Sequence, residues 1–123
     1  MKIPPIKLDV LLATVNQVKI WHWQTRIPEH EIFGELYDEL AELTDRFVEA
    51  ALGVQGSRKL DFPLQFELDP FKNVATCLDH LRAFETFLCE ELVPKDCPQT
   101  ELCQLRDDML ETVDKALYKL LPQ

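Results

Sequence analysis

The stretch GVQGSRKLDFPLQFELD, Gly53 to Asp69, decides the fold, because it separates two helical regions without sharing their periodicity. Its 17 residues can span about 55 Å when extended. A helix of roughly 24 residues is only about 36 Å long, so this segment can run back along a whole bundle. Phe62, Leu64, Phe66 and Leu68 alternate in it with Pro63, Gln65, Glu67 and Asp69. That pattern predicts an extended strap with one packed side, a short helix being the alternative. Working outward, Pro28, Pro70, Pro94 and Pro98 fall between stretches of helical spacing, where proline is tolerated. The predicted helices are 5–26, 28–52, 70–93 and 98–121, with Gly53 closing the second and Asp69-Pro70 opening the third as N-cap and first residue. The links Arg26-Ile27-Pro28 and Pro94 to Pro98 are too short to join anything but antiparallel neighbours. The expectation is a single all-α domain over 1–123, a four-helix bundle running up-down-down-up with one long crossover between its second and third helices.

Composition supports one compact helical domain. The chain has 123 residues, 46% hydrophobic and 28% charged, with only three glycines, which disfavours both disorder and a turn-rich β fold. A net charge of -9 and a pI near 4.7 have the wrong sign for binding phosphate backbones or anionic lipid. Neither nucleic acid nor membrane is therefore expected as a partner. Residues 1–20 contain no apolar run long enough for a signal peptide. Cys77, Cys89, Cys97 and Cys103 form no C-x-x-C pair, so buried free thiols in a reducing, cytoplasmic compartment are expected.

The helical wheels locate the unusual side chains. In the second helix Phe33, Leu36, Leu40 and Phe47 share an apolar arc, beside an acidic arc of Glu31, Glu35, Asp38, Glu42, Asp45 and Glu49 with His30 at its edge. No carboxylate of this helix points to the bundle centre, which argues against a central di-metal site. The first helix is apolar nearly all round. That pattern implies burial on two sides, the second against another copy of the chain, with Trp21 and Trp23 as anchors. His22 shares an arc with Leu11, Val15 and Val18, whereas His80 lies off its apolar arc and is expected in solvent. Glu85 and Arg106 each interrupt an apolar face of the third and fourth helices. Unpaired buried charge is expensive, so they are expected to pair with each other, metal ligation by Glu85 being the other option.

His22-Trp23-Gln24, then His30-Glu31-Ile32-Phe33, then Asp45 and Glu49 resemble the DNA-protection-during-starvation (Dps) mini-ferritins of the ferritin-like superfamily over residues 10–50. Asp45 and Glu49 stand 15 and 19 residues after His30, where that family places its acidic pair. The resemblance implies a ferroxidase centre shared between two subunits, with His22 and His30 from one chain and Asp45 and Glu49 from its dyad mate. It implies iron, while two imidazoles and two carboxylates also suit zinc or manganese. Where the family carries a further Asp, this chain has Gly34. It also lacks a Lys-rich tail, so DNA binding is not carried over. A different class remains open: a metal-free ferritin-like bundle acting as an oligomeric interaction or scaffold protein. Nucleophilic hydrolysis has little to stand on, Ser57 being the only serine.

Overall fold

The computed structural model describes residues 7–60, 65–96 and 98–122. It contains four helices: α1 (Leu8–Gln24), α2 (Glu29–Gln55), α3 (Val74–Glu90) and α4 (Thr100–Leu120). One hydrophobic core joins them, with Leu11, Val18 and Trp21 from α1, Phe33, Leu40 and Phe47 from α2, Leu81 and Leu88 from α3, and Met109 and Val113 from α4.

Side-chain bonds between distant residues fix the directions of the helices. Lys119, near the end of α4, reaches Glu35, near the start of α2, at 3.0 Å. Lys7, just before α1, meets Glu91, just after α3, at 2.5 Å. Gln24, the last residue of α1, accepts from the Phe71 N–H just before α3 at 2.5 Å. The end of α1 therefore lies beside the starts of both α2 and α3. These two helices run the same way, and α1 and α4 run against them, as the loop lengths predicted. The packing follows this order, with α2 between α1 and α4, and α3 against α4.

The ends of the elements depart from the sequence reading. The α2 helix runs through Gly53 and stops at Gly56, whose φ of 79° is left-handed and whose N–H bonds the Leu52 and Gly53 carbonyls. Gly56, without a Cβ, adopts this turn at no steric cost. Asp69 and Pro70 do not open α3; Asn73 does, its side chain accepting from the Thr76 N–H at 2.8 Å. The reason lies in α1. Gln17, only 3% exposed, donates from its amide to the Asp69 carbonyl at 2.7 Å and accepts from the Asp69 N–H at 2.8 Å. With its backbone held extended by Gln17, Asp69 cannot start a helix.

Phe66 and Leu68 are exposed, against the expectation of a packed side, and the described bonds that fasten the strap are those of its backbone to Gln17 and Gln24. Phe62 and Leu64 lie outside the described residues.

Several further expectations meet the structure here. Trp21 is not an interface anchor; it is 3% exposed within the chain's own core, 5.4 Å from Phe33 and edge-on to His80 at 5.3 Å between ring centroids. His80 is exposed, as expected, although the ring edge against Trp21 is desolvated enough to lower its pKa, with Asp69 opposing. Glu85 does not pair with Arg106. The antiparallel seam brings Glu85 level with Asp114, and burial together with a hydrogen bond to Asp114 raises its pKa to about 7. Arg106, two turns away on α4, bonds Asp107 at 2.6 Å and points to the Leu88 carbonyl at 3.5 Å. Among the cysteines, Cys77 is buried, which pushes its thiol up to about 12, but Cys89 is exposed. Cys97 lies outside the described residues.

Candidate functional site

The corner between α1 and α2 is tight. Thr25 closes α1 by donating from Oγ1 to the Trp21 carbonyl at 2.8 Å, a cis Ile27-Pro28 peptide follows, and the His30 N–H bonds the Arg26 carbonyl at 2.9 Å. This turn lays His22 and His30 against each other, their rings stacked with centroids 3.9 Å apart and planes 18° from parallel.

The two histidines bond reciprocally to each other's backbone. His22 Nδ1 is 2.7 Å from the His30 carbonyl, and His30 Nδ1 is 2.6 Å from the His22 carbonyl. A carbonyl only accepts, so each Nδ1 carries the proton and donates. In the neutral ring Nε2 then keeps its lone pair, the arrangement by which a backbone carbonyl orients a metal-binding imidazole. Each lone pair lies in its own ring plane. The stacked pair therefore offers two separate donors rather than one pincer.

Gly34 is the residue that this corner requires. A Cβ built there would lie 2.8 Å from His22 Cε1 and 2.9 Å from Nδ1, closer than side chains approach one another. The space that a side chain at this position would need is here the seat of the His22 ring. A glycine in the second turn of a long helix, where no turn needs it, was the available sign of such a close approach.

Asp45 and Glu49 stand one turn apart on the exposed side of α2. Their carboxyls bond each other, and that bond, then the charge of Asp45, raises the Glu49 pKa. From His30 to Asp45 is about 22 Å along the helix axis. One chain therefore brings the histidines together and the carboxylates together, but not the one pair to the other. Among the described residues no group of three or more His, Cys, Asp and Glu side chains could hold a metal ion. Beside the acidic pair, Glu49, Leu52, Gly53, Gly56, Ser57 and Arg58 line an open cleft of about 630 Å³.

Other features of this face escaped the sequence reading. Lys19 lays its ammonium 4.2 Å from the Tyr37 ring centroid and 5.7 Å from that of Trp23, and Trp23 is 64% exposed. On the opposite flank of α2, Glu39 accepts from Thr112 at 3.0 Å and faces Lys115 at 3.4 Å. Lys119 holds the Glu35 carboxyl below its ordinary range. Those acids are occupied by α4. No helix among the described residues is long and apolar enough to cross a membrane.

Fold and geometry together define an all-α four-helix protein with its notable polar pairs divided between the two ends of one helix. The chain belongs to a family of unknown function, DUF5856, whose model matches residues 22–120. The matched stretch includes His22, His30, Gly34, Asp45 and Glu49. No curated protein and no solved structure matches the chain.

Proposed function

We propose that the protein binds divalent metal ions, iron in the first place, between two copies of the chain, one imidazole to each ion. His22 and His30 of one copy and Asp45 and Glu49 of the other supply the donors. The observation that carries this reading is the reciprocal bonding of the two histidines, which fixes both protons on Nδ1 and leaves both Nε2 atoms as the ligating nitrogens. A carboxylate pair with a raised Glu49 pKa is the matching half, since a cation relieves its like-charge repulsion. Imidazole and carboxylate suit iron, zinc and manganese alike. The resemblance to mini-ferritins extends the reading to ferrous iron as a substrate, oxidised by dioxygen or peroxide in a ferritin-like oligomer.

The test is iron retained per chain, by elemental analysis after aerobic ferrous loading and gel filtration. Asp45→Asn/Glu49→Gln alters exposed side chains and leaves the fold intact, and His22→Ala/His30→Ala removes the other half. Retention in the wild type and loss in both variants is expected; equal iron in all three overturns the assignment.

Gly34 favours a second reading, because the histidine pair there is already satisfied by backbone and fills the place of a carboxylate ligand. In that reading the pair is a structural clasp of a metal-free scaffold bundle. Added metal then leaves the thermal midpoint of the wild type unchanged.

A further inference from the structure

The histidine corner holds two imidazoles whose reactive nitrogens are fixed rather than free. A neutral histidine carries a lone pair on Nε2 in only one of its two tautomers. Here each Nδ1 donates to a backbone carbonyl, so both rings are held in that tautomer. Neither Nε2 has a partner among the described residues, and neither is shut away, since the one buried side-chain nitrogen or oxygen without a partner there is Thr44 Oγ1. The two rings differ in their surroundings. His22 stands in the last turn of α1, at the negative end of that helix, whereas His30 stands in the first turn of α2, at a positive end where an anion is favoured. Glu29 and Glu31 share that turn and oppose an anion. Arg26, whose carbonyl takes the His30 N–H, is exposed and has no side-chain partner among the described residues. It sets a guanidinium on a flexible stem one turn before His30, suited to an oxyanion.

We infer that His30 is a phosphoryl-accepting residue, its Nε2 taking the phosphoryl group of a small acyl phosphate. The Nε2 lone pair forms the N–P bond while the P–O bond to the acyl group breaks, and the carboxylate leaves with that electron pair. No proton has to leave the ring for the attack, since Nδ1 keeps its own. The positive charge that the ring gains is met by the His22 carbonyl, which accepts from Nδ1 throughout. The inference rests on the fixed tautomer and not on the metal reading. A phosphoryl group on Nε2 occupies the lone pair that a metal ion at His30 would need, so the two occupants exclude each other.

The experiment is incubation of the full chain with acetyl phosphate at neutral pH in a chelating buffer, read by intact mass, peptide mapping and phosphorus NMR. One phosphoryl group per chain is expected, on His30 and through Nε2. His30→Asn keeps a donor to the His22 carbonyl, so its helicity should be that of wild type, and it should take up none. Arg26→Ala should slow the reaction roughly two- to fivefold. His80, exposed and without a backbone bond at either ring nitrogen among the described residues, is the internal comparison and should react several times more slowly. A wild type that takes up no phosphoryl group, an adduct on Nδ1 or on His22, equal rates at His30 and His80, or an undiminished yield in His30→Asn overturns the inference. Because metal is chelated throughout, the outcome is independent of iron retention: either reading can fail while the other stands.

Discussion

The two ends of α2 solve the problem of polar side chains in different ways. At the start of the helix, His22 and His30 find partners in the same chain, each Nδ1 on a carbonyl and each ring on the other ring. Toward its end, Asp45 and Glu49 bond each other, and Glu49 holds its proton more tightly as a result. The fold alone completes the first arrangement, while the second stays open to solvent. The difference lies in geometry: the histidines sit where α1 turns into α2 and a second backbone is at hand, while the acids sit on an outward face.

Substitution at the histidine end should therefore be felt in stability. The largest effect is expected from Gly34→Asp, which forces a Cβ against His22 and should lower the unfolding free energy by about 1–3 kcal/mol in urea titrations. His22→Ala should restore part of that loss in the double variant, by making room. His30→Ala removes one of the two reciprocal bonds and leaves the His22 carbonyl without its donor, an expected loss of about 1 kcal/mol by the same measurement.

The comparison sharpens with pH. Glu85 and Asp114 form a partly buried counterpart of the exposed Asp45–Glu49 pair, and Glu85 rises from 4.5 to about 7. A carboxyl whose folded pKa lies above its unfolded one favours folding while protonated. Stability should accordingly fall as pH rises from about 4.5 to about 7 and level off beyond, and Glu85→Gln should flatten that slope in thermal melts across the range. The smallest effect is expected at the exposed end. Asp45→Asn should leave the urea midpoint within about 0.5 kcal/mol of wild type while removing the rise in the Glu49 pKa, which carboxyl NMR titration reads directly. A loss of more than about 2 kcal/mol there would show that the acidic pair is part of the scaffold.

Loop lengths made the directions of the four helices legible, because the short links Arg26-Ile27-Pro28 and Pro94 to Pro98 each leave only one neighbour and a 17-residue one leaves room to cross. Proline marked where helices had to stop. It also stood at the start of α2, whose N-cap is Pro28, but not at that of α3: Asp69-Pro70 has the local chemistry of a helix start, yet Gln17, 52 residues away, bonds both its N–H and its carbonyl. Arg106 misled for a related reason, since the wheel shows a charge on an apolar face but not the register that sets Asp114, rather than Arg106, against Glu85. Trp21 and Trp23 are indistinguishable by composition, and the positions of α2 and α3 decide that one is core and the other surface. At the candidate site the residue types were legible, and the role of Gly34 was not, because it depends on where the His22 ring falls.

The bonding of Gln17 to both the N–H and the carbonyl of Asp69 has a consequence for how this chain assembles. A side-chain amide here does what a neighbouring strand does in a sheet, and with Gln24 it ties the crossover to α1 at residues 69–71. Glutamate at position 17 would keep the acceptor and lose the donor. The entry into α3 thus depends on α1 as much as on its own residues, so the start of one helix is set by two amides of another.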